Sequence, residues 1–236
     1  MTDLSKQPLS FSDPIGRRLF LSGIGGASAL ALSGCAALPG FGFTDAIRRL
    51  LFLSSERAFA RLTNEGGFWD QQVGRIGLAS IMGTRGNILS DILTSAVFKD
   101  QLEDAFAALA VEGSERAAPL VADAVRVLGI QAAADLVRGG PTAATAFLRG
   151  EMGEQLVEAM VPELGQAIRL ARDPVVGRAI SSLSGVDVGG VASRLSGQIN
   201  DAIWNEMGIE EAAIRRNPRA TNDPVLIGVF GVAAGL

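Results

Sequence analysis

The sequence predicts an all-α protein, an irregular helical bundle that follows an N-terminal export signal. Beyond Phe43, apolar residues recur at the three- and four-residue spacing of a helix face. No stretch of useful length alternates apolar and polar residues in the manner of a strand. The chain of 236 residues has one cysteine, so a framework of intrachain disulfides is excluded and packing must hold the helices together.

The export signal is the first element, and it occupies residues 1–34. Arg17-Arg18 and the following Leu19-Phe20-Leu21 resemble the twin-arginine consensus, in which two arginines are followed after one residue by Phe-Leu. The apolar run from Ser22 to Leu32 is shorter than the roughly 20 residues of a membrane span and fits the apolar part of a secretory signal. The pattern therefore predicts export by the twin-arginine route.

The end of the signal, Leu32-Ser33-Gly34-Cys35, resembles a lipobox, in which the cysteine thiol accepts a lipid. Lipid chains on Cys35 would anchor the protein stably, at about 0.8 kcal/mol for each buried methylene. A buried structural cysteine preceded by an ordinary basic turn is the alternative interpretation. Ala36 stands where retention in the inner membrane of many Gram-negative bacteria favours aspartate, so we expect an anchor in the outer membrane that faces the periplasm.

Removal of residues 1–34 leaves a chain of 202 residues with 18 basic and 23 acidic side chains, a net charge of −5. Such a chain is a poor ligand for nucleic acid, because binding to phosphates depends on clustered Lys and Arg. Residues 35–43 form a Gly/Pro-containing spacer, and residues 44–231 form the predicted helical domain.

The first predicted helix of this domain begins with Thr44 or Asp45 as its cap and ends before Thr63–Gly67. Its buried face consists of Ile47, Leu51, Ser54, Ala58 and Leu62. Phe68-Trp69 is expected to be a buried pair of rings that anchors a loop, with a ligand platform as the alternative. The glycine-rich residues 74–86 predict turns and one short helix.

Eight further helices follow from the same periodicity. They are predicted at Ile88–Phe98, Lys99–Val111, Ala117–Leu128, Gln131–Val137, from Pro141 onward, Glu154–Ala171, Asp187–Asn200 and Asp201–Arg216. Leu120, Ala124, Val127 and Leu128 share one side and are expected to face the core. Gly139-Gly140 ends one helix and Pro141 opens the next.

Several short segments together resemble a known family. They are Ala118-Pro119 through Asp123-Ala124, Gly139-Gly140 with Ala143-Ala144-Thr145 and Arg149, Glu210-Glu211 with Ile214-Arg215, Asn217-Pro218 and Val229-Phe230-Gly231. On these residues, the chain resembles the uncharacterised bacterial envelope family catalogued as domain of unknown function 4197, over roughly Phe43 to Gly231. The resemblance implies an exported, mostly helical protein with no assigned activity.

The chain departs from this family pattern at two places. Residues 107–112 read Ala-Ala-Leu-Ala-Val-Glu, where the family usually has Asn-Arg-Ala-Ala-Glu-Lys, and Gln131-Ala132 replaces an acidic pair. If those positions formed a catalytic site in the family, this chain has lost it.

The amino-acid composition excludes several kinds of catalytic and metal-binding site. Without histidine, the chain has no ordinary serine triad or histidine zinc site, and its one cysteine is expected to carry lipid. Glu210-Glu211 point about 100° apart on a helix, so a solvated acidic face is favoured over general acid–base catalysis. We therefore predict no catalytic residue, no metal site and no cofactor.

Three functions stay open. A non-catalytic envelope lipoprotein with a structural or interaction role is favoured. A helical bundle that binds a small molecule or lipid is the alternative, because bundles place apolar cavities between helices. A hydrolase that uses carboxylates is the third. The expected partners are the membrane, through the lipid anchor, and either an envelope protein or an apolar ligand.

Five polar residues in the family-like segments form a predicted structural or interaction cluster: Arg149, Glu210, Glu211, Arg215 and Asn217. We expect the C-terminal helix to lie against the helix that follows Gly139-Gly140. Across that interface, Arg149 is predicted to pair with Glu210 or Glu211, since a guanidinium offers a planar fork to a carboxylate. Solvated arginines are the alternative.

Overall fold

The computed structural model describes residues 42–83, 96–169 and 188–231, and in these ranges the fold is all-α, as predicted. The helices are α1 (Phe43–Leu62), α2 (Phe68–Ile76), α3 (Leu78–Met82), α4 (Ala96–Val127), α5 (Ala133–Arg138), α6 (Ala143–Met152), α7 (Gln155–Arg169), α8 (Val188–Arg216) and α9 (Pro224–Phe230), with a 3-10 turn at Pro218–Thr221. Their apolar faces meet in one hydrophobic core.

The predicted export signal lies outside the described residues. This applies to Arg17-Arg18, to Phe20-Leu21 and to the lipobox Leu32-Ser33-Gly34-Cys35. Most of the helix predicted at Ile88–Phe98 lies outside them as well. These assignments therefore stay predictions.

Helix α1 has the buried face that the sequence predicts. Ile47, Leu51, Ser54, Ala58 and Leu62 are all buried. The predicted cap is wrong, because the helix begins at Phe43, Gly42 occupies the N-cap position and no side chain caps it. The hydroxyl of Thr44 instead donates to the carbonyl of Ile130 at 3.4 Å, which ties α1 to the segment after α4.

Phe68 and Trp69 begin helix α2 instead of a loop. Their rings meet edge to face with centroids 5.1 Å apart, and Trp69 is buried. The indole Nε1 donates to Oγ of Ser114 at 3.1 Å, and this hydroxyl donates to the carbonyl of Ala110. Because its polar atom is satisfied inside the protein, Trp69 is the core anchor that was predicted. The short helix predicted in the glycine-rich segment is α3, and Gly77 at φ 79° separates it from α2.

Helix α4 is continuous over 32 residues, where the sequence predicts separate helices. A break was expected between Val111 and Ala117, but Gly113 is buried against α8. A Cβ at Gly113 would lie 2.6 Å from Cδ1 of Ile199, so the glycine allows the two helices to approach closely. Pro119 is tolerated on the exposed side of α4, where water can replace the hydrogen bond that it removes.

The face of α4 predicted to point inward is partly wrong. Val121 and Val125 are buried, whereas Leu120 is 38% exposed and Val127 is 80% exposed. The helix is apolar on more than one side, and tertiary packing covers only one of them. Helix α4 therefore carries a second apolar stripe that faces outward.

Helix α8 is the centre of the bundle. It is continuous over 29 residues, where two helices were predicted, and it packs against α1, α3, α4, α6 and α7. A long amphipathic helix gains most of its stability from such packing, so contact with many neighbours favours an unbroken helix over two short ones. This central position brings the C-terminal part of α8 against α5 and α6.

Candidate functional site

Glu211 on helix α8 is fully buried at the N-terminus of helix α6. Its Oε1 accepts a hydrogen bond from the amide of Ala144 at 3.0 Å, and its Oε2 accepts one from the amide of Thr145 at 2.7 Å. These amides belong to the first turn of α6, where backbone N–H groups have no partner within the helix. A carboxylate there also meets the positive end of the helix dipole. Glu211 therefore caps α6 from a distant part of the chain.

Arg215 follows Glu211 by one helical turn and binds it. Its Nε donates to Oε1 of Glu211 at 2.8 Å. Its Nη1 and Nη2 donate to the carbonyls of Val137 and Leu136, at 3.1 Å and 2.9 Å, at the C-terminal end of α5. The last carbonyls of a helix lack partners and attract cations, so Arg215 caps α5 as Glu211 caps α6.

The ring of Phe230 from α9 covers the guanidinium of Arg215. The guanidinium carbon lies 4.8 Å from the ring centroid, within the range of a cation–π contact. We call the buried pair Glu211–Arg215, together with Ala144, Thr145 and Phe230, the Glu211 cluster. Four helices, α5, α6, α8 and α9, are joined by this cluster.

Glu210 points away from the Glu211 cluster and towards α1. Its carboxylate accepts a hydrogen bond from Arg61, and Nη1 of Arg57 lies 3.8 Å from its Oε2. Nε of Arg61 also lies 3.3 Å from Oε2 of Glu206, one turn earlier on α8. The predicted divergence of the two adjacent glutamates is confirmed, but the predicted solvated acidic face is wrong, because Glu211 is buried.

Arg149 is outside the Glu211 cluster. Its Nη2 donates to Oδ1 of Asp201 at 2.7 Å, and at least half of each side chain is exposed. The predicted pairing with Glu210 or Glu211 is wrong, because Arg149 lies more than one turn beyond the amides that Glu211 binds. The predicted contact between α6 and α8 is confirmed.

Small residues allow α6 and α8 to approach each other, as the sequence predicts for Ala144, whereas Ala143 is only partly buried and lies beside Gly139. Ala144 is fully buried in this interface. On the other side, a Cβ at Gly208 of α8 would lie 3.3 Å from Cγ2 of Thr142. The glycine on α8 thus contributes to the close contact as well.

Asn217 is exposed, and its backbone forms the turn after α8. Its amide donates to the carbonyl of Ala213, and its carbonyl accepts a hydrogen bond from the amide of Ala220, both at 3.1 Å. Pro218 follows and is buried. Asn217-Pro218 therefore acts as a turn that directs the chain from α8 into α9. The side chain of Asn217 is not part of the buried pair Glu211–Arg215.

Asp223 is a further charged contact near the end of the chain. Its carboxylate caps α9 by accepting the amides of Val225 and Leu226, and it accepts Nη1 of Arg49 from α1 at 3.0 Å. Burial acts to raise the pKa of Asp223, but the hydrogen bond from Arg49 and those two amides together outweigh it, so its pKa lies below the ordinary value. The same contact raises the pKa of Arg49.

This arrangement limits what the buried acid can do. Both oxygens of Glu211 accept hydrogen bonds from helix amides, and Oε1 also accepts one from Arg215. A carboxylate in these contacts holds helices together and is poorly placed to exchange a proton with a ligand. In the described part of the chain, no three acidic or cysteine side chains come close enough to hold a metal ion. None of the helices in those ranges has an apolar stretch that would cross a bilayer.

Three surface grooves formed by described residues are large enough for a ligand. The largest, about 820 Å³, lies between α4, α6 and α7. A second, about 600 Å³, lies between α6 and α8 beside the Arg149–Asp201 pair. Oγ1 of Thr145, which contributes to its lining, is buried without a hydrogen-bond partner among the described residues. The third, about 640 Å³, lies between α1, α4 and the 3-10 turn.

Sequence reasoning found part of the Glu211 cluster and missed the rest. Glu211 and Arg215 were both candidates, and their spacing of four residues on one helix is a signal for such a pair. Phe230 was named only as part of the family-like segment Val229-Phe230-Gly231, and the carbonyls of Leu136 and Val137 were not named at all. No local pattern predicts their contacts with Arg215, because these contacts arise only from the packing of α5 and α9 against α8.

The fold and the Glu211 cluster define an all-α protein whose helix termini are joined by a buried glutamate–arginine pair. The profile of the family described as "Protein of unknown function (DUF4197)" matches residues 39–231, so the chain belongs to that family. No curated protein and no solved structure matches it. The segments Ala143-Ala144-Thr145, Glu210-Glu211, Ile214-Arg215 and Val229-Phe230-Gly231, on which the resemblance was based, each contribute to the Glu211 cluster or adjoin it.

Proposed function

We propose that this protein is an exported, lipid-anchored envelope protein whose helical domain is non-catalytic and has a structural or interaction role. The observation that carries the proposal for the domain is the Glu211 cluster. The most deeply buried carboxylate of the described residues binds two helix amides and Arg215, and the family-like segments converge on it. Residues in such contacts hold helices in position, which supports a structural role for the domain.

The proposed location is supported by the sequence before the helical domain. Arg17-Arg18 with Phe20-Leu21 supports twin-arginine export, and Leu32-Ser33-Gly34 before Cys35 supports lipidation. Ala36 supports an anchor in the outer membrane on the periplasmic side. A short Gly/Pro-containing spacer then separates the proposed anchor from α1.

The test of the anchor is intact-mass spectrometry of the membrane fraction. Wild-type protein should begin at Cys35 and carry the added mass of a diacylglycerol and a further acyl chain. Cys35→Ser should leave an unprocessed precursor, and replacement of Arg17-Arg18 by two lysines should block export. A mature protein that begins elsewhere, or that lacks the lipid mass, would contradict the lipoprotein assignment.

A binding site for a small apolar ligand is the second candidate function, and the groove between α6 and α8 favours it. Its volume of about 600 Å³ lies within the range of ligand pockets. Ile209 on its edge is 46% exposed, and the unpartnered hydroxyl of Thr145 offers one polar contact. A fluorescent fatty-acid analogue should bind if this function is correct, and Ile209→Glu should abolish binding. Saturable binding that is insensitive to Ile209→Glu would place the ligand elsewhere.

A further inference from the structure

The groove between α4, α6 and α7 has an apolar floor. Leu128, Leu148 and Met152 lie at its base and are buried, while Leu120 and Val127 of α4 line it and are exposed. With Ala124, the last two form a stripe at positions i, i+4 and i+7 of one helix, the spacing with which a helix packs against another helix. This is the outward apolar stripe of α4, and nothing in the described residues covers it fully.

The rim of this groove carries charge of one sign. Asp123, Glu151 and Glu158 line it, and none of its described lining residues is basic. Asp123 accepts a hydrogen bond from Arg126 at 2.6 Å, whereas neither Glu151 nor Glu158 forms an ion pair with a described residue. We call this feature the acidic groove. Its occupant must supply an apolar surface with cations beside it.

The other two grooves differ in this respect. The α6–α8 groove pairs Arg149 with Asp201, and the groove beside α1 pairs Arg49 with Asp45 and Asp223. The charges that line the α6–α8 groove balance, whereas the groove beside α1 is lined by three arginines, Arg48, Arg49 and Arg126, and two aspartates. Of the three grooves, the acidic groove is the one whose lining has an excess of negative charge for a partner to neutralise.

The dimensions of the acidic groove fit a helix. From Leu120 to Val127 the stripe runs about 10 Å at 1.5 Å per residue, and a helix with side chains is about 10–12 Å wide. The groove has a volume of about 820 Å³, within the range of ligand-binding sites. Amphipathic helices recognise such grooves through anchors at i, i+3, i+4 and i+7.

We propose that the acidic groove binds a cationic amphipathic helix of a partner protein, with the partner's apolar face against Leu120, Ala124 and Val127 and its lysines or arginines beside Glu151 and Glu158. This inference rests on the proposed interaction role of the domain and names the chemistry of its partner. The acidic rim selects the partner by charge, and the apolar stripe supplies the buried surface.

The test uses the full chain with Cys35→Ser, which removes the proposed lipid attachment site and leaves the residues of the groove unchanged. The probes are two fluorescent peptides of about 18 residues, or five turns, with the same leucine face and with either lysine or glutamate on the other face. Fluorescence anisotropy should show at least about tenfold tighter binding of the lysine peptide, a difference of about 1.4 kcal/mol.

Two variants should weaken binding of the lysine peptide by about tenfold or more: Val127→Asp in the stripe, and Glu151→Lys combined with Glu158→Lys on the rim. Matched controls should bind as the parent chain does. They are Val97→Asp, an exposed apolar residue of α4 outside the groove, and Glu56→Lys combined with Asp70→Lys on α1 and α2. Circular dichroism confirms that each variant is folded.

Equal binding of the two peptides, or an equal loss of affinity in the control variants, would overturn the proposal, because binding would then be non-specific. If dodecylammonium binds with this dependence on Val127, Glu151 and Glu158 while the lysine peptide does not bind, the groove accepts a cationic amphiphile and the assignment to a helix is wrong. None of these results depends on export, so failure here is separable from failure of the lipoprotein assignment.

Discussion

Helices α6 and α8 are joined by two contacts of charged side chains, one buried and one exposed. At one end, Glu211 is fully buried and accepts the amides of Ala144 and Thr145. At the other end, Arg149 and Asp201 meet at 2.7 Å, but 50% and 65% of their side chains are exposed. The donor–acceptor distances are similar in the two contacts, 2.7–3.0 Å at Glu211 and 2.7 Å at Arg149–Asp201, whereas the surroundings differ.

The difference shows that distance alone does not determine the importance of an ion pair. Water solvates the separated Arg149 and Asp201 almost as well as they solvate each other, so their net contribution is small. Glu211 is buried away from water. Removal of its carboxylate would leave Arg215 buried without its counter-ion and two helix amides without acceptors. The buried contact therefore determines how the helices pack, whereas the exposed contact contributes little to their packing.

The largest expected effect comes from Glu211→Ala, which tests the buried end directly. We expect a loss of about 3–5 kcal/mol in the free energy of unfolding, because an uncompensated charge remains inside the protein. Urea unfolding followed by circular dichroism measures it. Glu211→Gln is the control for shape, and it should also destabilise the protein, since the NH2 group that replaces one carboxylate oxygen cannot accept the backbone N–H bound there. A change below about 1 kcal/mol in both variants would contradict the role assigned to the cluster.

Arg215→Lys sharpens the comparison by keeping the charge and removing the planar fork. An ammonium cannot reach Glu211, the carbonyls of Leu136 and Val137 and the Phe230 ring with the same geometry. We expect a loss of about 1–3 kcal/mol, smaller than for Glu211→Ala, because hydrogen bonds to a charged group are lost while the charge stays paired. Thermal unfolding of the two variants side by side gives the order. Unchanged stability of Arg215→Lys would show that the positive charge, without the guanidinium geometry, is sufficient to stabilise the Glu211 cluster.

Asp223 lies between the two extremes, since it is partly buried and serves as a helix cap. Asp223→Ala should cost about 1 kcal/mol through loss of the cap, whereas Asp223→Asn keeps the cap and removes the charge, at a cost of about 0.3–1 kcal/mol. The folded-state pKa of Asp223 is lowered, so its charge stabilises the fold above the ordinary aspartate pKa, and that stability is lost as the pH falls through the folded-state pKa.

Urea unfolding of the wild type and of Asp223→Asn, from about pH 3, roughly one unit below the ordinary aspartate pKa, to about pH 7, roughly three units above it, checks this sign. The difference between the two proteins should be constant near neutral pH and shrink towards pH 3. A difference that grows as the pH falls would show that the pKa of Asp223 is raised, not lowered.

The smallest expected effect is that of Arg149→Ala. We expect a change of about 0–1 kcal/mol, as is typical of an exposed pair. A double-mutant cycle with Asp201→Ala isolates the pair energy and should return a value near the lower end of that range. A coupling above about 2 kcal/mol would remove the contrast between the two ends of the α6–α8 interface.

Several features of the fold were predicted because they depend on short-range pattern. The face of α1 at Ile47, Leu51 and Ala58 was correct, since helical periodicity and burial agree there. The face of α4 was partly wrong, because Leu120 and Val127 are apolar in a helix that is covered on another side. Helical periodicity indicates which residues can be buried. When a helix has several apolar stripes, the position of the neighbouring helices decides which stripe is buried.

In the candidate site, too, some properties of single residues follow from the sequence and others only from the packing of the helices. The sequence by itself determined the helical class and the family, and it placed Glu211 and Arg215 one turn apart on a helix. Only the tertiary structure decided that Glu211 points inward and Glu210 towards α1, because adjacent residues on a helix differ by about 100° and both are equally polar. The tertiary structure also decided that Glu211 binds the first amides of α6, and not Arg149 as predicted. Unpaired amides and carbonyls exist only where helices end, and packing determines where the helices end.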